Sequence, residues 1–307
     1  MLDVRKLFLL RELARLGTIG AVARAQFCTP SAVSQQLRAL EREAGLPLIR
    51  RAGRRVELTT AGADLAGRTG PVLALLEEAA ATLAAARHEL AGELRIGAFP
   101  TAVRTVLPAA LVALGTEHPR LELHVTELDP AEVPDALRSG LLDIALVHEY
   151  DYVPATPDPA LSTQPLLTET VFLARAGDRP GPPTVPDGSG AVVACRDQPW
   201  IAGSPGTLCH LMTVRLCQAA GFTPRIRHYA DDFGAVLTLV AAGQGVALVP
   251  ELALADRPPR VQLTALPARR RTLIASRAGG SGHPAVAACA AALRAAAVGY
   301  PALAGAP

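Results

Sequence analysis

The chain is poor in aromatic residues: one Trp, four Tyr and six Phe among 307 residues. Any core must therefore be built from Leu, Val, Ile and Ala. Lysine is almost missing, since Lys6 stands alone and every other basic residue is Arg. Arg favours bidentate contacts with phosphates and base edges wherever a site exists. Cys28, Cys195, Cys209, Cys217 and Cys289 are odd in number and lack close pairs, which argues against a disulfide framework or a zinc knuckle. The opening MLDVRKLFLLRELARLG places acids and bases within its first dozen residues, unlike a signal peptide. The apolar stretches Val236–Pro250 and Ala285–Leu293 are too short or too Gly-rich to span a bilayer. The expectation is a cytoplasmic protein away from membranes.

Catalytic signatures are missing as well. No GxSxG elbow, HExxH, P-loop or GxGxxG after a strand occurs. His118, His124, His148, His210, His228 and His283 are scattered, without acids at metal-ligand spacing. Asp231 and Asp232 are adjacent, so their side chains diverge, and they precede a helix whose dipole favours acids there. No enzyme, metal or cofactor is expected.

What is present is unevenly placed. The whole chain carries a net charge of only +2, yet residues 1–60 hold 11 Lys+Arg against 5 Asp+Glu, leaving 19 against 23 elsewhere. A basic end on a near-neutral body suggests a nucleic-acid module joined to something else, and 307 residues suit two or three domains. Within that end, AVARAQFCTPSAVSQQLRALERE reads as a short helix, a turn and a second helix. Thr29 is placed to cap and Pro30 to open the second helix. Val33, Leu37 and Leu40 make its apolar stripe. Ser31, Ser34, Gln35 and Arg38 face elsewhere, with groups suited to base edges and phosphates. An ordinary amphipathic helix would share the stripe but has less use for that polar face.

Gly45-Leu46-Pro47 ends the helix. Two short strands around a Gly turn follow, with Arg50, Arg51, Arg54 and Arg55 at or near the tip. Four arginines in six residues without a balancing acid repel one another unless an anion accepts them, which suits a phosphate-tracking wing.

These residues carry a family resemblance. AQFCTPSAVSQQLRALEREAGLPLIRRAGRRVELTTAGADL resembles the winged helix-turn-helix of LysR-type transcriptional regulators. Gly92–Gly97, Leu141–Leu146 and Leu239–Pro250 resemble segments of that family's effector-binding domain, in the family's order. The resemblance implies an all-α winged helix-turn-helix over residues 1–59 and a linker and dimerisation helix over 60–91. It further implies a type 2 periplasmic-binding-protein-like effector domain over 92–307, made of two α/β subdomains. Subdomain I would take about 92–167 and 272–307, and subdomain II about 168–271. The implied partners are inverted-repeat double-stranded DNA, a small effector and further copies of the chain, as a homodimer or homotetramer. Two other readings stay open: a small-molecule-binding protein with only a nonspecific DNA anchor, and a thiol redox switch using Cys195, Cys209 or Cys217.

Local patterning agrees at coarse grain. Val4–Leu16 reads as a first helix and Thr18 caps the next. Thr60 is placed to cap a long helix running to about Ala86, with Leu76, Leu83 and Leu90 spaced by seven as in a coiled-coil seam. Pro71 inside it predicts a bend or a restart. From Gly92 onward strands alternate with helices: Glu93–Ala98, Val103–Leu114, Leu121–Leu128, Val133–Arg138 and Asp143–Val147. A second unit starts near Glu169–Ala174, and a strand around Leu263–Ala275 crosses back. Gly177–Gly190 reads as a flexible surface segment. Such alternation argues parallel α/β units with a cleft at the strand ends. Phe99, Pro100 and Thr101 follow the first strand, Asp129 ends the second, and Ser204 and Thr207 follow the matching strand of the second unit. All six are candidate effector contacts, with a polar or anionic ligand favoured by free helix N–H groups. Simple helix capping is the alternative role for the three hydroxyl residues. His148 and Tyr150 are placed at the edge of the same cleft.

Overall fold

The computed structural model describes residues 1–52, 55–85, 90–153, 158–177, 188–255 and 257–298, with only the backbone of 51, 52, 55, 188 and 189. Three helices open the chain, each started by a side-chain cap. Asp3 accepts from the Arg5 and Lys6 amides to begin α1 (Val4–Leu16), and Thr18 caps α2 (Ile19–Ala25). Thr29 accepts from the Ala32 amide, and Pro30 occupies the first position of α3 (Pro30–Ala44). Gly17 and Gly45 close α1 and α3 in the left-handed conformation. Leu7, Leu10, Leu13, Val22, Val33, Leu37, Leu40 and Leu48 bury together between the helices. Each such side chain contributes roughly 1.5–3 kcal/mol by leaving water. Lys6 bonds Glu43, tying α1 to the end of α3.

The hairpin β1 (Ile49–Ala52) and β2 (Arg55–Leu58) pairs Ile49 with Leu58 and Arg51 with Val56. Glu41 anchors it to α3 by accepting from the Leu48 and Ile49 amides, both at 3.0 Å. The helix α4 (Thr60–Ala85) follows. Its capping hydroxyl belongs to Thr59, not Thr60: Thr59 Oγ1 accepts from the Gly62 amide and donates to the Pro47 carbonyl. A Cβ on Gly62 would lie 2.0 Å from the Leu48 carbonyl oxygen, so only glycine lets α4 approach the hairpin this closely. α4 runs through Pro71 as one continuous helix, so of the expected bend or restart the restart does not occur.

The remaining chain builds one mixed sheet with helices on its faces. In order come β3 (Gly92–Ala98), α5 (Pro100–Arg104), α6 (Val106–Glu117), β4 (Leu121–Glu127), α7 (Val133–Ser139), β5 (Ile144–Tyr150) and β6 (Leu161–Ala176). Then follow α8 (Gly188–Val193), β7 (Pro199–Ala202), α9 (Leu208–Ala219), β8 (Arg225–Tyr229), α10 (Phe233–Ala241), β9 (Val246–Pro250), β10 (Val261–Arg277) and α11 (Pro284–Val298). The strand order is β4-β3-β5-β10-β6-β9-β7-β8. β3, β4 and β5 run parallel in one unit, and β7, β8 and β9 in the other. Between them β6 and β10 lie antiparallel to each other and pair outward, β10 with β5 and β6 with β9. Leu, Ile, Val and Ala fill both units, with α6 and α11 over one and α9 and α10 over the other.

Three elements depart from the expected bounds. β6 and β10 are long, covering 161–176 and 261–277, because each serves both units in turn. The helix expected over Val103–Leu114 is two helices broken at Thr105. There the hydroxyl donates to the Thr101 carbonyl at 2.6 Å, while the Thr105 amide turns to Ala102. The side chain thus takes the acceptor that the next turn of a continuous helix requires. Most of the segment expected to be flexible, Gly177–Gly190, lies outside the described residues.

α4 is fastened to the first unit. Arg277 Nε donates to Glu77 at 3.1 Å, and its Nη1 donates to the carbonyls of Leu137 and Leu142. A Cβ on Gly279 (φ 81°) would meet the Ala74 carbonyl oxygen at 2.2 Å. Asp135 on α7 takes ion pairs from both Arg15 of α1 and Arg138.

Candidate functional site

The first candidate surface is the polar face of α3. Val33, Leu37 and Leu40 are buried beneath it. Gln35 and Arg38 are exposed and Ser34 is half-buried; none makes a hydrogen bond or ion pair among the described residues. Unpaired side chains on a rigid, capped helix are free to bond an incoming partner without breaking anything first. Thr29 is occupied as the cap, and Ser31 Oγ lies 3.0 Å from Thr29 Oγ1. On the hairpin, Arg50 is balanced by Glu57 at 2.9 Å across the two strands. That acid corrects the expectation of four unbalanced arginines. Arg54 and the side chains of Arg51 and Arg55 lie outside the described residues.

Phe27 and Cys28, in the turn before α3, carry no motif that sequence reasoning could use. Phe27 is 78% exposed and has φ 50°, rare for a non-glycine residue.

The second candidate site lies where β5, β10 and β6 meet the start of α5. Thr101 is buried and is not a helix cap: Phe99 holds the cap position and makes no capping bond. Thr101 Oγ1 instead accepts from Arg270 Nη2 at 3.2 Å. Arg270 is fully buried, donates from Nε to Glu169 Oε1 at 2.6 Å, and lies over the Phe99 ring at 4.9 Å. Glu169 is held in turn by the Leu252 amide at 2.7 Å. Burial alone weakens the Arg270 charge, but Glu169 beside it keeps the guanidinium pKa above its ordinary value. His148 packs edge-on against Phe99 and Tyr150, and burial followed by the Arg270 charge pushes its pKa well below the usual histidine range. It is therefore neutral at pH 7. His148 and Tyr150 are walls of the buried cluster, deeper than the expected cleft edge.

Sheet register explains the gathering. Thr272 pairs with His148 and Arg270 with Tyr150 across β5 and β10, and Arg270 pairs with Glu169 across β6. Alternation sends positions two apart to one face. The run Arg269-Arg270-Arg271 thus points out, in and out. Arg271 pairs outside with Glu149 and Asp151, while Arg270 turns inward. That middle arginine is a signal that strand periodicity contains and catalytic or binding motifs do not.

The second unit approaches the same place. Tyr150 Oη and Cys209 Sγ are 3.5 Å apart, and Asp129 is close enough to raise the Cys209 thiol pKa further, after burial. Ser204 and Thr207 are engaged locally. Ser204 bonds Asp231 through its amide and hydroxyl at 2.7 and 2.6 Å. Thr207 caps α9 and donates to the Ser204 carbonyl at 2.8 Å. Asp129 closes its own turn by accepting from the Ala131 amide, and Pro100 opens α5. Phe99 and Thr101 therefore join the buried cluster directly, whereas Ser204 and Thr207 are engaged within the second unit. Arg104 of α5 reaches Asp232 at 2.6 Å, a bridge between the units made by the same acid that caps α10.

A helix-turn-helix with a wing, carried by a long helix on a two-unit α/β body, is the architecture of a ligand-responsive transcriptional regulator. The comparisons agree: residues 4–63 match bacterial regulatory helix-turn-helix proteins of the lysR family, and residues 87–298 match the LysR substrate binding domain. The chain belongs to the LysR family of DNA-binding transcriptional regulators. It is 29% identical to the HTH-type transcriptional activator IlvY of Salmonella typhimurium over 283 residues, 90% of this chain and 89% of that one. It is 30% identical to a probable hydrogen peroxide-inducible genes activator of Mycobacterium avium over 76% of this chain and 73% of that one. Among solved structures it resembles a C206 mutant of Corynebacterium glutamicum OxyR, with TM-score 0.58 and 27% identity over 97% of this chain and 93% of that one. Among the described residues no helix is long and apolar enough to cross a membrane.

Proposed function

We propose that this chain is a cytoplasmic, non-enzymatic regulator that binds an inverted-repeat site as a homodimer or homotetramer and changes its binding when a small polar effector enters between the two α/β units. The observation that carries the DNA half is the unpaired polar face of α3, with Ser34, Gln35 and Arg38 above a buried stripe. Base edges are read there, while Arg50, Arg51, Arg54 and Arg55 on the wing hold phosphates without sequence choice. The exposed Leu75, Leu76 and Leu83 along α4 support pairing of that helix with a second copy. Phe99, Thr101 and Asp129 face Ser204 and Thr207 of the second unit around the effector.

The test is a salt titration of binding to the chain's own upstream DNA against random DNA. The quadruple alanine variant of the wing should lower the log K versus log salt slope by about 0.9 for each phosphate that the wing no longer neutralises. An unchanged slope removes the wing from the interface. Binding that random competitor abolishes would favour a nonspecific anchor instead.

The thiol-switch reading has less support. Burial raises the pKa of Cys195 and Cys209, and takes Cys217 to about 12. Thiols held protonated in this way are poor nucleophiles.

A further inference from the structure

Three buried side chains where β5 meets β10 hold polar atoms that have no partner among the described residues. Arg270 is 0% exposed and uses Nε on Glu169 and Nη2 on Thr101, yet its Nη1 bonds none of them. Thr272 is 1% exposed with its hydroxyl unbonded, and His148 is 6% exposed with both ring nitrogens unbonded. Buried polar groups are nearly always satisfied, so a group of orphans in one place signals something that completes them. These are grouped by construction. Thr272 and His148 are direct cross-strand partners, and Arg270 is two residues along the same face. Phe99 touches both His148, with ring centroids 4.7 Å apart, and Arg270.

The chemistry they offer is directional. Arg270 Nη1 can only donate, while the Thr272 hydroxyl and the neutral His148 ring each offer one donor beside their acceptor capacity, so the charge in the group is all on the donor side. Glu169 engages the Nε side of the guanidinium alone, so the far edge presents N–H groups with no anion of their own. A water molecule satisfies two or three such groups but brings no charge to the guanidinium edge. A carboxylate brings acceptor lone pairs in the plane that an Arg edge matches. Resting on the proposed effector site between the units, we propose that its innermost part binds the carboxylate of a small organic acid through Arg270 Nη1, Thr272 Oγ1 and His148. The remainder of the acid then points past Tyr150 toward Cys209 and the start of α9, where the second unit meets it.

The experiment uses the full chain, with acetate, pyruvate and benzoate as probes and acetamide, pyruvamide and benzamide as uncharged controls. Saturable thermal stabilisation by at least one acid, and none by its amide, is the expected result. Thr272→Val keeps shape and removes one donor, and should weaken that acid at least fivefold. Arg270→Met combined with Glu169→Leu removes both charges together, so no buried carboxylate is left unpaired, and should abolish the stabilisation while circular dichroism still reports a folded chain. Stabilisation by an acid that persists undiminished in both variants overturns the assignment. So does equal stabilisation by acid and amide, or none by any acid. A separate outcome bears on the underlying reading: if a neutral compound shifts the DNA footprint and Ser204→Ala weakens it, the cleft between the units stands and only its carboxylate specificity fails.

Discussion

The chain presents polar chemistry in two opposite ways. On α3 the polar groups are outside, unpaired and solvated, and the buried stripe beneath them carries the stability. Around Arg270 the polar groups are inside, partly paired, and themselves part of what holds β6, β10 and the start of α5 together. The difference teaches where function and folding can be separated. A solvated side chain can be exchanged at little cost to the fold, whereas a buried ion pair cannot lose one member cheaply.

The largest contrast should come from Arg270→Leu. It leaves Glu169 buried without its partner, and should cost about 3–5 kcal/mol in urea unfolding, most of it recovered when Glu169→Leu is added. A single variant as stable as the parent would put the two regions on an equal footing and break the comparison. Arg38→Ala should do the reverse, costing roughly 1–3 kcal/mol in binding to the specific site while leaving unfolding within about 0.5 kcal/mol of the parent. Equal weakening on random DNA would make Arg38 a phosphate contact. Thr207→Ala falls between these extremes: it removes the α9 cap and should cost about 1 kcal/mol of stability. A loss much beyond that would tie Thr207 to more than its own helix. The smallest effect is expected from peroxide. In a Cys28→Ser background, which removes the exposed thiol beside α3, peroxide should leave DNA affinity unchanged, since Cys195, Cys209 and Cys217 are held protonated by burial. A peroxide-dependent change that Cys209→Ser abolishes would restore the redox reading.

The two regions also differ in how legible they are in the chain. Thr29, Pro30 and the Val33–Leu37–Leu40 stripe are local signals, each set within two turns of helix, and α3 has the expected bounds. The alternation of strands and helices after Gly92 is equally local. The Arg270 cluster is not, because it depends on pairings such as Arg270 with Glu169, 101 residues apart. Thr101 is legible as a position at a strand end, but its partner requires the register of β10. Thr59 and Thr60 are adjacent hydroxyls, and only the approach of the Pro47 carbonyl makes Thr59 the cap rather than Thr60. Glu57 reads as a strand residue, and its charge balance with Arg50 emerges only when the hairpin closes.

The fastening of α4 sets a lever. From Glu77, where Arg277 grips the helix, back to Thr60 the helix runs about 25 Å at 1.5 Å per residue. Swinging it by about 8° around that grip moves the wing end by about 3.5 Å, close to one nucleotide step along a DNA strand. Gly62 lets α4 press against the Leu48 carbonyl at the foot of the hairpin, and that close contact couples the two. The ion pair from Arg15 to Asp135 spans α1 and α7, so a swing of this kind would stretch it. If the chain reads DNA as proposed, a small rearrangement of the body would be magnified at the wing by the length of α4.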